Sequence, residues 1–250
     1  MRVDVVFGSA SLGSGEVTGR VVAVIDVLRA STAITTALSN GARAVIPIES
    51  PDEAVIRAKT LDSSDVKLAG ERKMMPIPGF DLGNSPSEFS ADAVRGKTVL
   101  MTTTNGTAAI ASAAGAGARD VVVASYVNYT ATLTMLRAAL RGGTDVTILC
   151  AGHDRHFSLE DAACAGRYVS NVSKRLTDVT LNDAAQACAL IDRQYADDLT
   201  MMFHASEHGR ALREAGFGDD LEACAAIDAH PVIPIYQDRQ ITKLGPERER

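Results

Sequence analysis

Short apolar, β-branched runs alternate with Ala-rich stretches of helical period through the first two thirds of the chain. The runs predict strands near Val3 to Phe7, Val21 to Asp26, Ala44 to Ile48, Val66 to Ala69, Thr98 to Thr102, Asp120 to Ala124 and Asp145 to Leu149. Between them, helices are predicted over Arg29 to Leu38, from Pro51 onward, and over Gly106 to Ala114, Tyr129 to Leu140 and Leu159 to Leu176. The first ends at Asn40-Gly41, a stop signal, and Pro51 opens the second where its missing N–H costs nothing. Such alternation builds an α/β fold with a mainly parallel sheet covered by helices. Beyond Asp178 the period is largely helical, near Asn182 to Gln194, Leu199 to Ala215 and Asp220 to Ala229, followed by a short strand around Val232 to Tyr236. The expected organisation is a core over 1–178 carrying the chemistry and a mostly helical extension over 179–250 as a cap or lid. One continuous domain is the alternative, because no Pro- or Ser-rich linker separates the two. The charged end, Gly245 to Arg250, is expected to fray.

Composition narrows the function classes. Across 250 residues, 46% are hydrophobic and 22% charged, ordinary proportions for a packed domain. With aromatics at 4% and no Trp, Val, Ile, Leu and Ala must fill the core. A net charge of -6 argues against broad nucleic-acid binding, which needs a basic surface to displace counterions. A small phosphorylated metabolite needs only a few local cations. No apolar run approaches the roughly 18 residues of a membrane span, and Met1 to Phe7 enters a strand pattern without signal-peptide character. A cytoplasmic protein without membrane partners is expected. Cys150, Cys164, Cys188 and Cys224 form no Cys-x-x-Cys pair and are expected as buried free thiols. Monomer and homodimer both stay open.

In open α/β sheets ligands gather at the carboxyl ends of strands, so the polar residues there carry the candidate chemistry. After the second strand come Asp26, Arg29, Ser31 and Thr32, which suit a cation on Asp26 and an anion at the helix start; a helix cap with a surface salt bridge accounts for them equally. After the fourth come Glu71 and Arg72, then a loop from Pro78 to Pro86 with Asp81 and Asn84, whose simpler reading is an Asx-type turn before a helix at Pro86. Thr102 to Thr107 offers Thr103, Thr104, Asn105 and Gly106 as a neutral phosphate cradle, or as a plain helix cap. Cys150-Ala151-Gly152 leads to Ser158 and the acids Glu160 and Asp161, which the helix dipole alone explains adequately. Carboxylates without paired histidines favour magnesium over zinc, shared with substrate phosphate and water.

In chain order, Ile25 to Thr32, Gly70-Glu71-Arg72, Pro78 to Pro86, Thr102 to Thr107, and Cys150-Ala151-Gly152 with Leu159-Glu160-Asp161 resemble the signatures of the 2-phosphosulfolactate phosphatase (ComB-like) family. The resemblance spans about Val21 to Gly166 and continues more loosely through Ser206, Gly209, Leu212, Gly216 and Asp219. It implies a three-layer α/β/α fold, magnesium dependence and hydrolysis of 2-phospho-3-sulfolactate, a step in making coenzyme M. One departure is the basic stretch His153-Asp154-Arg155-His156, near which the pocket is expected to differ.

The expected mechanism has Asp26, Asp81 and Asp161, with Glu71, holding magnesium, while Arg29 and Arg72 pair with the anionic groups. Ser31, Thr32, Asn84 and the Thr103 to Gly106 loop complete the substrate site, and water attacks phosphorus directly. Competing signals are weaker. His204-Ala205-Ser206-Glu207-His208 matches an inverted zinc-peptidase motif but lacks a third ligand; His208 is expected on a helix surface, with a place lining the pocket as the alternative. A covalent aspartyl route at Asp26 would want a second Asp where Leu28 stands, Gly8 to Ser14 lacks a Walker lysine, and Cys150 to His156 ends in His where a Cys-x5-Arg loop needs Arg. A non-catalytic sensor of a phosphorylated or sulfonated metabolite, or a phosphatase for another phospho-hydroxy acid, are the alternatives.

Overall fold

The computed structural model describes residues 1–9, 12–154, 156–174 and 176–245. Part of the Gly8 to Ser14 turn, Arg155 of the basic stretch and most of the charged end therefore lie outside the described residues. In chain order the elements are β1 (Arg2–Phe7), β2 (Val21–Ile25), α1 (Ala30–Ser39), β3 (Ala44–Pro47), α2 (Pro51–Ala58), β4 (Val66–Arg72), β5 (Met75–Pro76), α3 (Ala91–Val94), β6 (Thr98–Thr102), α4 (Gly106–Gly115), β7 (Asp120–Ala124), α5 (Tyr129–Arg141) and β8 (Val146–Cys150). They continue with α6 (Leu159–Val172), β9 (Thr180–Leu181), α7 (Asp183–Tyr195), α8 (Leu199–Ala205), α9 (Glu207–Glu214), α10 (Gly218–Ala225), β10 (Pro234–Gln237) and β11 (Gln240–Lys243).

The strands form one 11-stranded sheet, ordered β5-β4-β6-β3-β11-β10-β7-β2-β8-β1-β9. β2 and β8 are buried along their whole length, as strands covered on both faces must be. Their side chains alternate between two cores. Ala23, Ile25, Val146 and Ile148 pack with Leu133, Leu136 and Leu140 of α5 and Ala162, Tyr168 and Val172 of α6. Val22, Val24 and Leu149 pack with Ala33, Ile34 and Leu38 of α1 and Ala109, Ile110 and Ala113 of α4. The result is a three-layer α/β/α fold with a mixed, mostly parallel sheet and helices in the C-terminal part.

The C-terminal strands do not sit on an edge. β10 pairs antiparallel with β7 (Ile235↔Val122), β11 pairs antiparallel with β10, and β11 meets β3 at Ile241↔Val45. This hairpin joins two parallel blocks, β4-β6-β3 and β7-β2-β8-β1-β9. Hence the sheet takes strands from both 1–178 and 179–250.

Several boundaries differ from expectation, each for a local reason. The helix expected over 199–215 breaks at Ser206, whose extended backbone (ψ 149°) lets its hydroxyl cap α9 by accepting from Gly209 N at 3.0 Å. At Pro86 there is only a 3₁₀ turn, Pro86–Glu88, before the four-residue α3. α6 ends at Val172 and α10 runs from Gly218 to Ala225. Ser50 caps α2 as Pro51 suggests, accepting from Glu53 N at 3.2 Å.

Candidate active site

Asp26 follows the last residue of β2 and is 7% exposed. Among the described residues its side chain accepts one long hydrogen bond, from Ala30 N at 3.3 Å, which leaves lone pairs free. Its Oδ2 presses on the first turn of α4: a Cβ added to Gly106 would stand 2.7 Å from that oxygen and 2.7 Å from Ala30 Cβ. Only glycine allows this approach. Burial raises the Asp26 carboxyl to about 6; the charge on His208 and the Ala30 N–H work against this, while Glu71 and Glu160 add to it.

Asp26 opens onto a cavity of about 380 Å³ whose wall includes Arg29, Glu71, Arg72, Lys73, Asn84, Thr104, Asn105, His153, Asp154 and His208. Carboxyl ends from both parallel blocks contribute: Asp26 follows β2, Glu71 and Arg72 close β4, and Thr104 and Asn105 follow β6. Arg29, 3% exposed, donates to Asp220 Oδ2 at 2.6 Å and to Met74 O at 2.7 Å, and its guanidinium lies 4.4 Å from the Phe217 ring centroid. Asp220 also accepts from Ser85 Oγ at 2.5 Å. Those contacts use two of the five guanidinium donors, leaving others for a ligand. Arg72 donates to Glu71 O at 2.7 Å and to Thr102 Oγ1 at 2.8 Å. Asn84 is 5% exposed and its Oδ1 has no hydrogen-bond partner among the described residues. A buried amide in that state awaits a ligand or water.

Other expected site residues are placed differently. Asp161 bridges two strand ends, its Oδ1 accepting from Val27 N at 2.9 Å and its Oδ2 from Gly152 N at 3.0 Å. Burial, then the charges of Asp26 and Glu160, push its carboxyl well above the usual range. Gly152 must be glycine here, with φ +80° and a Cβ position only 2.3 Å from His156 O. Glu71 is likewise committed: Oε1 accepts from Thr104 N and Oγ1, each at 2.8 Å, and Oε2 from Met74 N at 2.9 Å. Asp81 does not join the cavity. It accepts from Lys67 Nζ at 3.0 Å and Leu68 N at 2.8 Å; burial would raise its carboxyl, but these bonds outweigh that and lower it. The hydroxyls of Ser31 and Thr32 serve the backbone, Ser31 Oγ accepting from Asp26 N at 2.8 Å and Thr32 Oγ1 donating to Val27 O at 2.9 Å. Thr103 engages Thr107 and faces a neighbouring cavity of about 360 Å³ that shares Arg72 and Thr104.

His208, expected on a surface, is in the cavity wall, whereas His204 contacts Arg213 Nη1 at 2.8 Å on the exterior. The break at Ser206 separates them, so the peptidase-like motif is not one helical face. Sequence reasoning did not single out Lys73, Met74, Ser85, Phe217 or Asp220; only the loose downstream resemblance near Asp219 pointed toward this region.

Among the described residues, no group of three or more His, Cys, Asp or Glu side chains is placed to hold a metal ion. Asp26 is the acid of the expected ligand set that reaches the cavity with oxygens uncommitted. Such a donor set fits magnesium in its substrate-shared mode, with phosphate and water as the other ligands, and does not form an all-protein cage.

A sequence profile described as 2-phosphosulpholactate phosphatase matches residues 9–239. This chain belongs to the 2-phosphosulfolactate phosphatase family. Among its relatives, a probable 2-phosphosulfolactate phosphatase of Symbiobacterium thermophilum is 42% identical over 229 residues, covering 92% of this chain and 96% of the relative. One from Clostridium botulinum is 35% identical over 244 residues, covering 98% and 100%. Another, from Caldicellulosiruptor saccharolyticus, is 39% identical over 223 residues, covering 88% and 90%. The family match therefore includes α9 and α10, which bring His208 to the cavity wall and Asp220 to Arg29. No helix of the described residues is long and apolar enough to cross a membrane.

Proposed function

We propose that this chain hydrolyses the phosphate monoester of a small hydroxy acid that carries further anionic groups, with 2-phospho-3-sulfolactate as substrate and 3-sulfolactate and phosphate as products. The observation that carries this reading is the convergence of Arg29, Arg72 and Lys73 on one cavity with the free carboxylate of Asp26. A phosphate, a sulfonate and a carboxylate on a three-carbon skeleton call for several cations and a cavity of a few hundred Å³. The names of the relatives support the same substrate.

In this reading Asp26 holds magnesium, which when bound neutralises charge on the transferring phosphoryl group and lowers the pKa of the attacking water. Arg29 grips an anionic group of the substrate, its direction set by Asp220 and Met74 O. Arg72 pairs with a second, and the exposed Lys73 closes the open side. Asn84 and Asn105 supply neutral polar contacts. Glu71 keeps the Thr104 turn and the β4–β5 hairpin at a fixed spacing, so that Arg72 and Lys73 stay aimed inward. The reading includes a role in making coenzyme M and a cytoplasmic location, which the buried free cysteines support.

Phosphate release from 2-phospho-3-sulfolactate, 2-phospholactate and 3-phosphoglycerate tests it. The expected order of kcat/KM puts the sulfonated ester first. A preference for another ester would keep the chemistry and discard the substrate. Binding without release from any ester would replace the enzyme by a sensor.

A further inference from the structure

The imidazole of His208 in the cavity wall pairs with the buried carboxylate of Glu160 behind it, a contact that gripping the substrate's anions does not require. Glu160 lies in the first turn of α6 and His208 in the first turn of α9; their side chains are 2% and 12% exposed. His208 Nδ1 stands 3.2 Å from Glu160 Oε1. At this depth a carboxylate has lost its hydration, and its charge bears on both Asp26 and Asp161. A position filled only for packing would be apolar. Burial would raise the Glu160 carboxyl, but the hydrogen bond and charge of His208 outweigh it and hold the group below the usual range. An ionised Glu160 accepting from Nδ1–H leaves Nε2 as the nitrogen available to the cavity.

His153 completes the arrangement. Its ring stacks on His208 with centroids 4.1 Å apart and planes at 29°, and its buried Nδ1 has no hydrogen-bond partner among the described residues. Burial and then the charge on His208 keep His153 below the usual imidazole range. The two rings are thus set apart: His153 is a neutral surface that fixes the plane of His208, and Glu160 fixes His208 on its Nδ1 side.

We infer that His208 is the acid that protonates the leaving oxygen of the phosphate ester, with Glu160 as its positioning residue. The assignment rests on the phosphatase reading above. The ester oxygen of a hydroxy acid leaves as an alkoxide, and a positioned acid typically accelerates such a departure by about 10²–10⁴-fold. As the water oxygen bonds to phosphorus, the bond from phosphorus to the ester oxygen breaks and its electron pair stays on that oxygen. The Nε2 proton of the imidazolium moves there and yields the free hydroxyl. The attacking water's protons remain with phosphate as H₂PO₄⁻, which gives one up, directly or through solvent, to restore the imidazolium.

A bridging-sulfur substrate tests this, because a thiolate leaves without a proton. Wild type, His208→Gln and Glu160→Gln are compared on 2-phospho-3-sulfolactate and on its analogue with sulfur in place of the bridging oxygen. The expected result is a fall in kcat of about 100-fold for His208→Gln on the oxygen ester, with turnover of the sulfur ester kept within a few-fold of wild type. Glu160→Gln should show the same selectivity at smaller amplitude with KM unchanged. Equal losses on both esters, or no loss on either, would overturn the assignment. His208→Asn and thermal melts of every variant separate a folding defect from a loss of chemistry. If wild type releases phosphate from neither ester, the phosphatase reading itself fails, and this role with it.

Discussion

Arg29 and Asp220, separated by 191 residues, meet in a buried ion pair at 2.6 Å with side chains 2% and 6% exposed. The pair links the end of β2 to α10, so the C-terminal helices hold the cavity's most buried cation in place. Removing one member strands the other charge in the interior, which costs about 3–5 kcal/mol. Asp220→Ala should therefore lower the melting temperature sharply and raise KM for the anionic substrate. The double variant Arg29→Met/Asp220→Leu should recover much of the stability and none of the activity. Thermal melts combined with kinetics check both; full stability in Asp220→Ala would contradict this view of the pair.

Asp26 makes the pH dependence of stability predictable. Its folded-state value of about 6 lies above the ordinary aspartate value of 3.8. Between these values the folded chain binds more protons than the unfolded one, so the contribution of Asp26 to stability falls as pH rises from about 4 to about 6. Asp26→Asn removes that loss. Without metal, the variant should match or trail wild type near pH 4 and gain up to about 3 kcal/mol on it by pH 7.5, the free-energy equivalent of a shift of about 2 units. Urea unfolding at the two pH values measures the difference, and a gap that does not widen with pH would count against a desolvated Asp26.

Asp161 gives a contrasting outcome. Both its oxygens accept backbone N–H groups, from Val27 and Gly152. Asp161→Asn offers one acceptor for two donors, so one buried N–H loses its partner at a cost of about 1–3 kcal/mol. Stability should fall, while the magnesium concentration for half-maximal activity should stay near that of wild type. A large rise in that concentration would restore Asp161 to the metal.

The strand ends were legible because apolar runs of four to six residues, each followed by polar residues, mark α/β strands even without long-range information. This reading located Asp26, Glu71, Arg72 and the Thr103 to Gly106 turn. It could not separate oxygens that face the cavity from oxygens spent on backbone N–H groups, and that distinction sets Asp26 apart from Asp161 and Glu71. Asp81 was misleading because a turn carboxylate reads the same whether it faces a cavity or Lys67. The places of β10 and β11 in the sheet depend on pairing partners more than 100 residues away, and no local period encodes them. The choice between surface and pocket for His208 met the same limit, since it turns on the break at Ser206, where one hydroxyl caps α9.

The most direct measurement is phosphate release from 2-phospho-3-sulfolactate by wild type and Asp26→Asn, each with magnesium and with EDTA. The account predicts release that requires magnesium in wild type and is lost in Asp26→Asn while the variant stays folded. Release by wild type that persists undiminished in EDTA, or near-normal turnover by Asp26→Asn, would contradict a metal-assisted hydrolysis centred on Asp26.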